Sequence, residues 1–358
     1  MILVLAIAAL IWSLGALLRL PVALRASLLA GLLVVVLLIN LTLPAGNPLR
    51  AATGGDPRSW AALGVVVALA LGYWLVVSAL RRRVAARRAP ETAPQAGPFS
   101  ETELTRYARH IILREVGGPG QRRLKDASVL VIGAGGLGAP VLMYLAGAGV
   151  GTIGVIDDDV VDGSNLQRQV IHADARIGMP KVFSAQEAVA ALNPFVTLRP
   201  YKRRLTENVA AALFADYDLI LDGTDNFDTR YLVNRVAAKL GKPLIAAAIT
   251  QWEGQISVYD PARGTPCFEC VFPDRPAPGL VPSCAEAGVI GPLPGVLGSM
   301  MAVEAVKAIT GAGEGLRGRM LIYDALYAET RQITLRPRPG CAACGGGTEA
   351  APPAAGAG

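Results

Sequence analysis

Four of the five cysteines carry metal chemistry in their spacing. Cys267-x-x-Cys270 and Cys341-x-x-Cys344 form two pairs, each with the bite that lets two thiolates share one Zn²⁺, and together they complete a tetrahedral four-thiolate set. A closed set leaves no coordination position open, so its metal is structural and would clip the C-terminal hairpin to the sheet. The alternative is two disulfides or free thiols; a cytoplasmic location disfavours disulfides. Cys284 is left over in PDRPAPGLVPSCAEAGVIGP, a Pro- and Gly-rich loop, where it is either a nucleophile or an unreactive thiol.

A second constellation runs from Ser128 to Gln169. The apolar run Val129 to Ile132 meets Gly133, Gly135 and Gly138 in G-x-G-x-x-G spacing, and apolar residues follow at helical intervals to Gly149. This reads as strand, tight turn, helix. A second strand, Thr152 to Ile156, ends in Asp157, where a ribose-binding carboxylate belongs. Glycines without Cβ atoms let phosphate oxygens reach the N–H groups at a helix N-terminus. A Gly-rich turn that binds nothing is the plainer reading, and the placement of Asp157 weighs against it. Further on, Arg168 and Lys181 offer positive charge to phosphates and Asn165 an amide to an ester or sugar oxygen, though each is also common as a solvated surface residue. Asp225, after the strand Leu219 to Leu221, could hold Mg²⁺ or cap the following helix. His110 and His172 are the only histidines, and neither has a visible catalytic partner.

Placing these residues takes a particular set of elements. A capping box at Ser100 and Glu103 predicts a helix through LTRYARHIIL. Strands near Val196 to Pro200, Leu219 to Leu221 and Pro243 to Ala248 alternate with helices from about Glu207 and Phe227. That alternation predicts an α/β domain with a doubly wound, Rossmann-like, mostly parallel sheet. GQISVYD, MLIYD and RQITLRP suggest an antiparallel extension of it, with Met300 to Ile309 as a helix packed against it. The tail from 346 to 358 is low-complexity and expected to be disordered.

The chain has 358 residues, 52% of them hydrophobic, but the two parts differ. Residues 1 to 90 carry nine Arg and one acid, a net of +8, and the remainder carries 25 basic and 27 acidic residues, a net of −2. The basic charge therefore does not belong to the chemistry-bearing part, which argues against nucleic acid as a partner. Three charge-free apolar stretches, 2–18, 26–43 and 61–80, are expected to be transmembrane helices. A signal peptide is the other reading of the first, but it lacks a basic n-region and a cleavage site. The heaviest arginine cluster, Arg81 to Arg83 with Arg87 and Arg88, follows the third span. The positive-inside rule then predicts an external N-terminus and a multi-pass inner-membrane protein whose catalytic domain lies in the cytoplasm. The organisation expected is thus a membrane region over 1–88, a linker over 89–99, a catalytic domain over 100–345 and the tail.

RYARHIIL, GAGGLG, DDDVVDGSNLQRQ, GMPK, LDGTDN, PCFEC, PSCAEAGV and GCAAC, in this order, resemble the adenylyltransferases that activate ubiquitin-like sulfur carriers, nearest to the molybdopterin-synthase type and next to the thiamine-pathway type. The resemblance covers about Ser100 to Gly345 and does not extend to the membrane spans. It implies ATP on the turn of Gly133, Gly135, Gly136 and Gly138, with Gly135 at the phosphates and Asp157 on the ribose. Asn165, Arg168 and Lys181 would engage the triphosphate, Asp225 would hold Mg²⁺, and Asn226 would stand beside it. Arg109 matches an arginine delivered to a partner subunit's site, which implies a homodimer. Cys284 matches a loop cysteine required only in some branches.

The reaction implied is attack by the carrier's C-terminal glycine carboxylate on the α-phosphorus of ATP, in the Gly-Gly tail of the molybdopterin synthase small subunit. A persulfide donor would then supply sulfur to the acyl-adenylate, for molybdenum cofactor biosynthesis. The thiamine-pathway carrier is the nearer alternative. An NAD-dependent oxidoreductase is the alternative of a different class, disfavoured by Arg168 with Lys181 and by the paired C-x-x-C motifs.

Overall fold

The computed structural model describes residues 2–18, 20–44, 46–54, 57–87, 97–276 and 287–345. It divides into two compact units, 1–94 and 95–358.

The first unit is helical: α1 (Ile2–Leu17), α2 (Val22–Thr42), α3 (Pro48–Thr53) and α4 (Pro57–Arg87). The apolar stretches 2–18, 26–43 and 61–80 fall on α1, α2 and α4, whose ends lie elsewhere because backbone bonding and not charge sets where a helix stops. At 1.5 Å per residue α1 rises about 24 Å, short of a hydrocarbon core of about 30 Å, while α2 rises about 31 Å. Among the described residues, Leu24–Thr42 of α2 has the length and composition to cross a membrane. The short α3 was not foreseen; Asn47 caps it by accepting from the N–H of Leu49, and Pro48 opens it. Trp60 packs against Val4 and Val36 and donates its indole N–H to the Thr53 carbonyl at 3.1 Å. Leu41, Val66 and Leu69 stand more than 60% exposed.

The second unit opens with α5 (Glu101–Ile111), started by the expected capping box: Ser100 N–H donates to Glu103 Oε2 at 2.9 Å and Glu103 N–H to Ser100 Oγ at 3.2 Å. Pro98 and Phe99, assigned above to the linker, belong to this unit. The Pro98 carbonyl accepts from Lys125 Nζ at 2.7 Å and the Phe99 ring meets Tyr107 edge-on. There follow α6 (Gly117–Asp126), β1 (Ser128–Ile132), α7 (Gly138–Ala148), β2 (Thr152–Ile156), α8 (Lys181–Leu192), β3 (Thr197–Tyr201), α9 (Glu207–Ala215), β4 (Leu219–Asp222), α10 (Phe227–Lys239) and β5 (Leu244–Ile249). The chain ends with β6 (Glu253–Tyr259), the single turn α11 (Phe268–Val271), α12 (Pro292–Thr310), β7 (Arg319–Asp324) and β8 (Glu329–Thr334).

The eight strands form one sheet in the order β3-β2-β1-β4-β5-β6-β7-β8. The first five are parallel and the last three are added antiparallel, as the strand patterns predicted. Side chains of β1 alternate between two cores. Val129 and Val131 face the layer of α7, α8 and α12, while Leu130 and Ile132 face the layer holding Phe214 and Tyr231 of α9 and α10. All four are at most 2% exposed. A strand buried on both faces needs the continuous apolar run it has. Pro292–Thr310 also has the length and composition of a membrane span, but Leu297, Met301 and Ala305 lie in the core of this unit.

β1 delivers the chain to the glycine turn. Gly133 has φ +92°, and a Cβ on Gly138 would run into the Gly133 carbonyl oxygen. Backbone on backbone cannot be relieved by a rotamer change, so Gly138→Ala is expected to destabilise the unit by about 1–3 kcal/mol. A denaturant titration that gives the same midpoint for this variant and the wild type would remove the close approach from the account.

Candidate functional site

The turn after β1 is tied to β2 and to the start of α7 by three backbone N–H groups. Gly133 N–H donates to Ile156 O at 2.9 Å, Ala134 N–H donates to Asp157 Oδ2 at 2.7 Å, and Ala139 N–H donates to Gly135 O at 2.9 Å. Among the described residues no acceptor takes the N–H of Gly135 or Gly136. Free donors at the start of α7 make an anion-binding end. Asp157, at the tip of β2, accepts from Ala134 with one oxygen and from Asp159 N–H with the other at 2.8 Å, and each oxygen keeps a lone pair for a hydroxyl.

A second wall rises from the segment between β2 and α8. Arg168 Nη2 donates to Asn165 Oδ1 at 2.8 Å. Arg168 borders the turn, since a Cβ on Gly136 would stand 3.6 Å from its Cγ. Lys181 opens α8 and is 6% exposed, its Nζ 2.7 Å from Oδ2 of the exposed Asp159. Gln169 is buried beside Gly135, and its Oε1 has no partner. His172, which had no visible partner in the sequence, joins the turn: its Nε2 lies 2.9 Å from Ala134 O and its Nδ1 2.9 Å from Ser184 Oγ. Burial, with the nearby charges of Lys181 and Arg176, holds this imidazole below the usual histidine range against the opposing pull of the Ala134 carbonyl and Asp157.

The third wall is the turn after β4. Asp222, buried, accepts from Thr224 N–H at 2.9 Å and from its hydroxyl at 2.6 Å. Asn226, not Asp225, caps α10, accepting from Thr229 N–H at 2.8 Å. Asp225 is left exposed with no partner among the described residues, a carboxylate open to a cation. Arg230 is buried and donates to the carbonyls of Thr224 and Ala247, pinning the Asp225 turn to β5. No local pattern announced Arg230, because both its acceptors lie on other elements.

The four cysteines converge. Sγ separations are 3.8 Å for Cys267–Cys270, 3.7 Å for Cys267–Cys341 and 3.5 Å for Cys270–Cys344. Four sulfurs about 2.3 Å from a central Zn²⁺ stand about 3.8 Å apart in a tetrahedron, so the residues fit the ion. The spacing is too long for an S–S bond of about 2.05 Å, which discards the disulfide reading. Burial pushes the Cys267 and Cys270 thiols up. Asn234 of α10 braces the cluster, accepting from Phe268 N–H at 2.8 Å and facing Cys267 Sγ at 3.8 Å.

Of the residues singled out in the sequence, the three walls bring together Gly133, Gly135, Gly136, Gly138, Asp157, Asn165, Arg168 and Lys181, with Asp225 and Asn226 on the turn after β4. Arg109 does not join them; it is exposed on α5 and pairs with no carboxylate among the described residues. Cys284 lies outside the described residues.

A mixed α/β sheet with a glycine turn at its C-terminal edge and a four-cysteine cluster that could hold a metal defines a Rossmann-like fold with a candidate nucleotide site. Residues 107–343 match the ThiF family, and the chain belongs to that family of adenylyltransferases. It is 51% identical over 251 residues to a sulfur carrier protein adenylyltransferase of Thermus thermophilus, covering 69% of this chain and 93% of that protein. It is 52% identical over 253 residues to a Mycobacterium tuberculosis protein named probable adenylyltransferase/sulfurtransferase MoeZ, covering 70% of this chain but 64% of that one. With bovine adenylyltransferase and sulfurtransferase MOCS3 the identity is 47% over 253 residues, covering 70% of this chain and 55% of that protein, so the chain spans little more than half of it. The fold is shared with Escherichia coli MccB, solved with MccA-N7isoASN, at a TM-score of 0.60 and 22% identity, covering 67% of this chain and 74% of that one.

Zinc binding at such a cluster is folding energy. Protein purified under reducing conditions is expected to carry one zinc per chain at the four-cysteine cluster, and Cys270→Ser to lower the unfolding temperature by on the order of 10 °C. Metal analysis finding no zinc, or an unchanged unfolding curve for the variant, would count against the clip.

Proposed function

We propose that the chain uses ATP to adenylate the C-terminal glycine carboxylate of a ubiquitin-like sulfur carrier, and that this carrier is the small subunit of molybdopterin synthase. The thiamine-pathway carrier is the second reading. The observation that carries the adenylation is the pair of acceptor-free N–H groups at Gly135 and Gly136, flanked by Asp157, Arg168 and Lys181, in a chain half identical to a sulfur carrier adenylyltransferase.

The chemistry sets two anions against each other, a carboxylate and a triphosphate, so catalysis rests on position and on positive charge. A carboxylate is ionised at neutral pH and needs no general base, which fits a site whose one histidine is occupied on both nitrogens. Gly135 N–H and Arg168 hold the phosphates, Lys181 faces the developing charge, Asp157 receives the ribose hydroxyls, and Asp225 holds Mg²⁺ with Asn226 beside it. The carboxylate oxygen bonds to the α-phosphorus as the bond to pyrophosphate breaks. The terminal sulfur of a persulfide donor then displaces AMP from the acyl group.

A second copy of the chain completes the reading. Met143 and Tyr144 of α7 and Val296, Met300 and Val303 of α12 line an open apolar groove of about 1250 Å³, a surface fit for a homodimer in which the exposed Arg109 of one copy serves the other. The first unit anchors the enzyme in the inner membrane, with the second in the cytoplasm; the grounds are the apolar exterior of α1, α2 and α4 and the arginines after residue 80. A reporter fused after Gly358 is expected to score as cytoplasmic, and a periplasmic signal would sink the three-span arrangement.

Adenylation needs Mg²⁺ and no thiol. Asp225→Ala is therefore expected to lower carrier-dependent exchange of pyrophosphate into ATP by about thirtyfold to a thousandfold, on the order of 2–4 kcal/mol in the transition state. Cys284→Ala is expected to leave exchange intact and to impair only the later sulfur step, if any. Normal exchange in the first variant, or lost exchange in the folded second, contradicts these roles.

A further inference from the structure

The two nitrogens of His172 are both committed, and their partners fix which carries the proton. The Ala134 carbonyl can only accept, so Nε2 is the donor across 2.9 Å. Nδ1 of the neutral ring is then the acceptor, and the Ser184 hydroxyl supplies it at 2.9 Å. Ser184 is wholly buried on α8, one turn beyond Lys181, and its own carbonyl is held by Arg176. The ring is thus fixed from one side by α8 and presents a single N–H to the glycine turn.

What it holds is one end of a peptide plane. Ala134 C=O and Gly135 N–H belong to the same peptide group, no peptide bond among the described residues is cis, and in a trans peptide these two bonds point in opposite directions. The Ala134 carbonyl points to His172, so the Gly135 N–H points away from it, and no protein acceptor meets it there. Gly135 lacks the Cβ that would restrict this plane from flipping. A flipped plane would aim a carbonyl at an incoming phosphate. The preceding peptide is fixed separately, through Ala134 N–H on Asp157.

We propose that His172 is a positioning residue for the nucleotide: by taking the Ala134 carbonyl it turns the Gly135 N–H toward the phosphate, with Ser184 fixing the ring. The inference rests on the reading of the turn as the ATP site. It assigns to His172 an effect on phosphate and none on the nucleoside, which separates it from a general contribution to packing.

The test is titration of the full-length chain in detergent with Mg-ATP and, separately, with adenosine. His172→Phe keeps the ring volume and removes the N–H. It is expected to weaken ATP about ten- to hundredfold, the share of one hydrogen bond to a charged group, while adenosine stays within about twofold. His172→Gln, whose Nε2 can reach the same carbonyl, is expected to restore ATP binding to within about threefold of wild type. Should His172→Phe not fold, Ser184→Ala frees the ring and carries the same comparison, with ATP weakened several-fold and adenosine unchanged. Equal ATP affinity in wild type and variant overturns the proposal alone, as does a parallel loss of ATP and adenosine or a failure of Gln to rescue. A wild type that binds adenosine but not ATP overturns it together with the reading of the site.

Discussion

An anion site made of backbone requires N–H groups without acceptors at the end of a firmly held strand, and the second unit is organised around such a turn. Unpaired donors are stable only while water or a ligand can reach them. Gly135 and Gly136 are half-buried and open, whereas Gly133 and Ala134, one step earlier, are satisfied by Ile156 and Asp157. The turn can be this tight because α7 begins against the Gly133 carbonyl, with no Cβ at 138 to hold it off. β1 sits third from the β3 edge with β2 and β4 on either side, so the turn inherits the rigidity of the sheet. Asp157 serves twice, closing the turn and leaving lone pairs toward the cleft.

The four-cysteine cluster is joined to this site by one helix. α10 starts at Asn226, beside Asp225, and 13 residues at 1.5 Å each carry it about 20 Å away. Along that length Arg230 grips Thr224 and Ala247, and the Tyr231 hydroxyl lies 2.9 and 3.0 Å from the carbonyls of Phe272 and Asp274. Asn234 holds the Cys267–Cys270 knuckle. Arg275 pairs with Asp228 and stacks over Tyr231. A closed thiolate cluster does no chemistry at the phosphates, but it fixes residues 267–275 against the same helix that presents Asp225. Its second pair, Cys341 and Cys344, follows β8 and brings the end of the antiparallel extension to that point.

What was legible in the sequence was whatever chemistry imposes locally. The glycine spacing, Asp157 at the strand end and the two C-x-x-C bites each describe geometry within a few residues, and all of it reappears. His172, Arg230 and Asn234 were not legible, because their partners lie 38, 17 and 34 residues away and nothing in their own neighbourhoods marks them. α6 begins GGPG, which intrinsic preference reads as a turn; burial of Leu124 and the bond from Gln121 Nε2 to Ala148 O at 2.8 Å override it. α12 extends eight residues upstream of the expected Met300, since prolines are tolerated in a first turn. In the first unit the apolar stretches located the helices but not their ends.

The site must also solve a problem of charge. The part of the chain beyond residue 90 is slightly acidic, so positive potential for a triphosphate has to be concentrated rather than spread. Lys181 concentrates it by burial, which strengthens its interaction with any anion and equally penalises leaving it bare. Without nucleotide, an ammonium that is 6% exposed needs a counter-ion, and Asp159 provides one whose side chain is 67% exposed. The asymmetry matters more than the distance between them. An exposed carboxylate regains most of its hydration when released, so exchanging it for a phosphate oxygen costs little, whereas a buried partner would hold the lysine in a pair that substrate could not open. The same logic separates Arg168, whose guanidinium is held by the neutral Asn165 amide, from Arg317 and Arg263, which stand against the buried carboxylate of Asp260. Arg168 and Lys181 thus have partners that are neutral or solvated, which is the arrangement an incoming polyanion requires.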